Sequence, residues 1–153
     1  MILGKGKWLG SGKLLVEGTS VGESVEVDLD ITDDDSGMTL EGRLGGDYDG
    51  EISIRVAPDD VGTYVIDARI ASVALDGRAK LESEPHLGLL WNEGQTQSVS
   101  VALFRTNTGI ACRGFWQELG KTRTWEILFK LKQNVVGQSA GGSNVVSLAN
   151  RRR

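Results

Sequence analysis

Several residue types are scarce in this 153-residue chain, and each shortage excludes a class of protein. Cys112 is the only cysteine and His86 the only histidine, so the chain cannot form an internal disulfide or supply the usual ligands of a zinc site. A histidine-dependent triad would have to use His86, and no spacing supports that role. We therefore predict no metal, no cofactor and no catalytic residue.

Long apolar runs and a concentrated basic face are also missing. No run approaches the roughly 18 apolar residues of a membrane-spanning helix, and residues 1–6 lack the apolar core of a secretion signal. The formal net charge is −4, with acids and bases spread along the chain, which argues against a nucleic-acid-binding surface. We expect a cytoplasmic protein that binds neither membrane nor nucleic acid.

Glycine and strict alternation of apolar and polar residues are abundant. The 21 glycines, set against two prolines, suit many turns and tight bends. Residues 121–132 show the clearest alternation, which predicts a strand with one buried and one wet face. The predicted buried face comprises Arg123, Trp125, Ile127, Phe129 and Leu131.

About ten segments of this kind follow one another through short turns, without a long crossover. Consecutive hairpins place sequence neighbours side by side in a sheet, and closing a curled sheet removes its aggregation-prone edges. We predict an all-β protein, an antiparallel up-and-down β-barrel of about 8–10 strands. A single domain is expected over residues 1–132, followed by a flexible, glycine- and serine-rich tail over residues 133–153.

Two hairpins decide which side chains face the interior. Asp76-Gly77 is a strong two-residue turn signal, and pairing across it turns Ser72 inward. The turn Asn107-Thr108-Gly109 allows two registers. An even-length loop groups Arg105 with the inner face, whereas an odd one turns Arg105 outward and brings Phe104 and Phe115 in.

Gly6-Lys7-Trp8, together with Arg123 in the last strand, resembles the signature of calycins, the group of lipocalin-like and avidin-like barrels. In that group a Gly-x-Trp lies in the first strand, and a basic residue of the last strand packs over its tryptophan. The resemblance implies that Arg123 covers Trp8 and that a small, mostly apolar ligand occupies the barrel mouth. The chain departs from lipocalins in lacking a disulfide and a helix after the barrel.

Inward-facing aromatic and polar side chains form the predicted ligand site, which comprises Trp8, Tyr64, Ile66, Ser72, Arg105, Trp116 and Trp125. An arginine inside an apolar barrel needs a carboxylate, a ligand anion or an aromatic face as its partner. Arg105 would therefore either grip a ligand or pack on a tryptophan, and we favour the second. We expect Trp91 in the core as well, and His86 at the surface or rim.

Three functions are compatible with these features. We favour a small-molecule-binding protein that holds an apolar or amphipathic ligand inside the barrel. The alternatives are an isomerase- or cyclase-type enzyme acting on such a ligand, and a solid barrel whose outer wall binds proteins. An outward apolar set predicts a homodimer; it comprises Val65, Ala71, Val73 and Leu75, with Phe104 and Phe115 in the even register.

Overall fold

Ten antiparallel strands form a closed barrel in the computed structural model, which describes residues 1–132. The strands are β1 (Gly6–Val16), β2 (Glu23–Asp34), β3 (Gly37–Gly46), β4 (Gly50–Pro58), β5 (Tyr64–Ile70), β6 (Val73–Lys80), β7 (His86–Trp91), β8 (Gln97–Arg105), β9 (Ile110–Glu118) and β10 (Lys121–Leu131). Each pairs with the next in sequence, and β1 also pairs with β10. The predicted up-and-down barrel is confirmed, whereas the predicted tail lies outside the described residues.

The seam between β1 and β10 follows from alternation in both strands. Gly10 pairs with Phe129 and Leu14 with Trp125, so the apolar faces of the two strands point inward together. A slip of one residue would turn both faces to water. Gly10 must be a glycine here, because an added Cβ would lie 2.7 Å from the Phe129 ring.

The most deeply buried side chains come from β2 and β6. Every second residue of β2 from Val25 to Ile31 is buried, and Ile31 is 0% exposed. Leu75 of β6 is 1% exposed. Complete burial of one such aliphatic side chain contributes about 1.5–3 kcal/mol, so these two strands contribute much of the stability of the barrel.

The predicted turn at Asp76-Gly77 is wrong. These residues lie inside β6, and the β5–β6 turn is formed by Ala71 and Ser72, whose φ angles are 49° and 71°. This register turns Leu75 inward, because every second residue of β6 is buried. Burying Leu75 gains about 1.5–3 kcal/mol, which is similar in size to the roughly 1–2 kcal/mol that each of the two left-handed turn residues costs.

The shift also alters the predicted outward apolar set. Val73 and Leu75 lie on the inward-facing phase of β6, and Ala71 belongs to the turn. Val65 and Phe115 do face outward, with exposures of 40% and 55%. The predicted outward set is therefore wrong at Ala71, Val73 and Leu75 and correct at Val65 and Phe115, and the homodimer stays a prediction.

Candidate functional site at the open end of the barrel

The two ends of the barrel are closed to different degrees. The floor is the end where β1 begins and β10 ends, and the links 35–36, 59–63, 81–85 and 106–109 surround it. The mouth is the opposite end, surrounded by the links 17–22, 47–49, 71–72, 92–96 and 119–120. Loops at the ends of a rigid scaffold are where binding sites usually form, so a site is expected at one of these two ends.

Residues 1–5 close the floor. Leu3 is 3% exposed and belongs to the core, and Met1 and Ile2 pack against that core. The Trp8 indole Nε1 donates a hydrogen bond of 2.8 Å to the Gly4 carbonyl oxygen. The bond satisfies a donor that would otherwise be costly to bury, and it fixes the segment across the barrel end.

His86 lies at the rim of the floor as the first residue of β7, but with 5% exposure it is buried and not at the surface. Its Nδ1 atom has no hydrogen-bond partner among residues 1–132. Burial lowers the pKa of the imidazole, because the charged form loses its hydration. His86 is therefore held neutral near pH 7.

Tyr48 and Glu23 form a short polar contact at the mouth. The Tyr48 hydroxyl donates a hydrogen bond of 2.6 Å to Glu23 Oε1. Burial and the neighbouring carboxylate together raise the pKa of Tyr48 to about 12, while Arg123 acts in the opposite direction. The phenol is thus protonated at neutral pH, and Arg123 is close enough to lower its pKa.

Arg123 and Trp116 occupy the same level of the mouth, since they are cross-strand partners. The Arg123 guanidinium forms an ion pair of 3.5 Å with Glu118, and the two side chains are 33% and 41% exposed. Trp116 Nε1 donates a hydrogen bond of 2.7 Å to Gln97 Oε1. Partly exposed ion pairs contribute only about 0–1 kcal/mol, so Arg123 can exchange its partner at little cost.

The inward-pointing side chains differ in how far they are buried. Side chains on the inward phase of β8, β9 and β10 remain half-buried in the middle of their strands; they are Val101, Cys112, Trp125 and Ile127. The inward side chains of β2, by contrast, are buried from Val25 to Ile31. Inward residues of other strands, among them Leu14 of β1 and Ile54 of β4, are also half-buried, so the interior is packed unevenly around the barrel.

The barrel is wide compared with the thickness of two packed layers of side chains. Ten tilted strands about 4.8 Å apart give a radius of roughly 10 Å, whereas the side chains of two facing sheets fill a gap of about 10 Å. Two concavities lie on the outer wall. One, of about 390 Å³, lies between β1 and β10, and the other, of about 480 Å³, lies beside the β5–β6 turn.

Cys112 and Trp125 contact one another inside the barrel. The Trp125 indole Nε1 lies 3.4 Å from Cys112 Sγ and donates to it. The indole covers Gly114, where an added Cβ would come within 2.5 Å of the ring. Burial raises the pKa of the thiol to about 11, so the sulfur stays protonated and is a poor nucleophile near pH 7.

Six of the seven predicted site residues, all except Ser72, lie on inward phases, but at different levels. Trp8 and Tyr64 are at the floor, and the Tyr64 hydroxyl reaches Glu82 Oε1 at 3.3 Å. Ile66 is 8% exposed. Trp116 and Trp125 lie toward the mouth. Their role in ligand binding stays a prediction.

Arg105 and Ser72 are not placed as predicted. The even register is correct, because Arg105 pairs with Ile110 and Val99 with Trp116. Arg105 is nevertheless the last residue of β8, 69% exposed, and its guanidinium forms an ion pair of 3.3 Å with Glu84. The inward orientation of Arg105 is wrong because the strand ends there and the long side chain reaches water. Ser72 is exposed in the β5–β6 turn.

The expected contact between Arg123 and Trp8 is also wrong. Trp8 pairs with Leu131, whereas Arg123 pairs with Val16 at the other end of β1. At about 3.3 Å per residue, the two levels are roughly 25 Å apart along β10. Alternation indicated the face of Arg123 but not its level in the barrel.

Four mouth residues escaped sequence reasoning; they are Glu23, Tyr48, Gln97 and Glu118. Gln97 and Glu118 lie on the inward phases of Val99 and Trp116, so the alternation of the two strands could have identified both residues. Tyr48 lies in a turn and shows no such pattern. Trp91, expected in the core, pairs with the outward residue Asp76 and so lies on the outer wall.

Residues 1–132 show no sign of a metal site or of a membrane-spanning helix. Within residues 1–132, no group of three or more His, Cys, Asp or Glu side chains is arranged to hold a metal ion. The same stretch has no helix with the length and apolarity needed to cross a membrane. No protein-family model matches the chain, and no curated protein shows significant similarity to it.

Proposed function

We propose that the protein binds a small apolar or amphipathic molecule inside the barrel and admits it through the mouth. One observation carries the proposal. Half-buried inward surface beside β8–β10 continues into a polar, partly exposed mouth, while Leu3 and Trp8 close the floor. An apolar cavity with a few convergent polar groups is the usual form of a small-molecule site.

The ligand's apolar body would lie against Trp116 and Trp125. Its polar end would lie at the mouth, near Arg123 and Gln97. A ligand carboxylate or carbonyl group can replace Glu118 as the partner of Arg123, because that ion pair is partly exposed and weak. The guanidinium suits such a group, since it presents donors in a planar fork.

We also propose that the barrel is calycin-like and that the protein is cytoplasmic. The closed antiparallel meander and the position of Gly6-Lys7-Trp8 at the floor support a calycin-like barrel. The misplaced arginine means that any such relationship is divergent. Binding is favoured over turnover because the Cys112 thiol is protonated near neutral pH and His86 lies at the opposite end.

Titration with the fluorescent apolar anion 1-anilinonaphthalene-8-sulfonate tests the proposal. Cys112→Phe fills the accessible interior and should weaken binding at least about tenfold, a loss of about 1.4 kcal/mol. Arg123→Ala should weaken it several-fold. Arg43→Ala is the matched control, because Arg43 is ion-paired on the outer wall, 60% exposed, and should leave the affinity unchanged.

Thiol protection gives a second readout that needs no substitution. Cys112 is the only cysteine, so the rate of its reaction with a small neutral thiol reagent reports access to the interior. Bound probe should slow that reaction. Wild-type protein that binds no probe, or a Cys112→Phe variant that is folded by circular dichroism and binds normally, would refute an interior site.

A further inference from the structure

Residues 1–5 are attached to the floor by few polar contacts, and we call this segment the plug. Among residues 1–132, the plug makes one hydrogen bond, which runs from Trp8 Nε1 to the Gly4 carbonyl oxygen. It lies outside the strands, so no ladder of backbone hydrogen bonds holds it. The plug is therefore held mainly by apolar packing, above all that of Leu3, which is 3% exposed.

The two links next to β7 along the floor are held more firmly. In the link 81–85, the Lys80 ammonium donates hydrogen bonds of 3.2 and 3.0 Å to two carbonyl oxygens. In the link 106–109, Thr106 N and Oγ1 donate to the Gly109 carbonyl oxygen at 2.8 and 3.0 Å. The plug can therefore leave the floor with fewer hydrogen bonds broken than either link.

His86 is a buried titratable group at the same end of the barrel. It lies on the inward phase of β7 with 5% exposure, and its Nδ1 atom has no partner in the described part of the chain. Charged groups from the plug, from the end of β6, from the end of β8 and from the link 81–85 surround it; they are the Met1 amino group, Lys80, Arg105 and Glu84. Only the last of these is negative.

Glu84, the acidic neighbour, is already engaged. Its Oε1 atom accepts a hydrogen bond of 2.8 Å from Arg105 N, and its Oε2 atom is ion-paired with the Arg105 guanidinium at 3.3 Å. A protonated His86 that stayed buried would thus have mainly positive neighbours. Because a buried charge without a partner is costly, the charged imidazole must reach water.

We propose that the plug is an acid-operated closure: when His86 takes up a proton, residues 1–5 leave the floor and the imidazolium reaches water. Burial and positive neighbours lower the pKa of His86 in the closed barrel. In the open barrel the ordinary pKa of about 6.5 applies, so each pH unit below it raises the ratio of open to closed molecules by up to about tenfold. Closure is thus favoured above about pH 6.5 and is lost as the pH falls.

Release of the plug opens the end of the barrel opposite the mouth. The change is local, because the plug precedes β1 and the strands stay paired without it. It breaks the hydrogen bond between Trp8 and Gly4 and exposes Leu3. This inference uses no ligand, so it and the proposed ligand site can fail separately.

Nuclear magnetic resonance of the tryptophan indoles in the isotope-labelled wild-type chain tests the proposal. The Trp8 Nε1–H signal reports the hydrogen bond to Gly4. The signals of Trp116 and Trp125, which are hydrogen-bonded away from the floor, are internal controls. From about pH 7.5 to about pH 5, the Trp8 signal should move, with the same midpoint as the His86 ring and below about pH 6.5, while the two controls stay in place.

His86→Leu is the matched variant, because its side chain cannot take up a proton and its Trp8 signal should stay in place over this range. The wild-type titration needs no substitution and decides the question if the variant does not fold. A wild-type Trp8 signal that stays fixed, whether or not the ring titrates, would overturn the proposal. Movement of all three indole signals together would overturn it as well, since the whole barrel would then be unfolding. So would a folded His86→Leu variant whose Trp8 signal still moves.

Discussion

The floor and the mouth of the barrel are made by the same ten strands, yet a polar side chain is buried at the floor, whereas the polar side chains at the mouth are partly exposed. At the floor, Leu3 and Trp8 close the end, and His86 is buried with no hydrogen-bond partner for Nδ1 in the described part of the chain. At the mouth, Arg123 pairs with Glu118 while both stay partly exposed. The floor is thus closed by buried apolar packing, whereas the polar contacts at the mouth are partly exposed; under the proposed function, the mouth is the end where a ligand would exchange contacts.

Removing the apolar closure of the floor should have the largest effect on stability. Leu3→Ala deletes most of a side chain that is 3% exposed, and we expect a loss of about 2–4 kcal/mol. Urea denaturation followed by tryptophan fluorescence measures it. Leu119→Ala deletes the same atoms from a residue that is 80% exposed in the β9–β10 turn, and it should cost less than about 0.5 kcal/mol. Equal losses would mean that residues 1–5 do not close the floor.

The buried imidazole should make the floor sensitive to acid. The folded-state pKa of His86 is lowered, so below the unfolded pKa of about 6.5 the unfolded chain takes up a proton that the folded chain resists. Stability should therefore fall as pH decreases from 7 to about 5, by at most about 1.4 kcal/mol per pH unit for one proton.

His86→Leu isolates this effect, because His86 is the only histidine and the carboxyl groups are shared by both proteins. The free energy of unfolding of the variant, measured in urea at several pH values, should decline less over this range. Parallel pH profiles for the two proteins would show that the imidazole ionises freely, and the contrast between floor and mouth would then weaken.

The sequence predicts the order of the strands correctly, but it does not predict the levels in the barrel at which side chains meet. Strict alternation identifies the inward phases of β1 and β10, because polar residues cannot face an apolar interior. The position of a turn is weaker information. Asp76-Gly77 would make a good turn, yet burial of Leu75 moved the turn to Ala71 and Ser72.

The site was harder to predict, because it depends on where strands end. Arg105 has the inward phase but is the last residue of its strand, whereas Arg123 has the same phase and lies just inside the mouth. Nothing in local sequence distinguishes these two arginines. Closure of the sheet and the stagger of neighbouring strands decide which one stays over the interior.

The smallest expected effect concerns the hydrogen bond between Tyr48 and Glu23 at the mouth. Tyr48→Phe removes a single hydroxyl and should cost no more than about 1 kcal/mol in urea denaturation, since Glu23 is exposed and water can replace the lost partner. Because its folded-state pKa is raised to about 12, Tyr48 contributes stability that declines between about pH 10 and 12. Absorbance titration should show a tyrosinate transition at about pH 12 that the variant lacks. A larger loss of stability would mean that the mouth is as rigid as the floor, and an exchangeable ligand contact at Arg123 would then be hard to sustain.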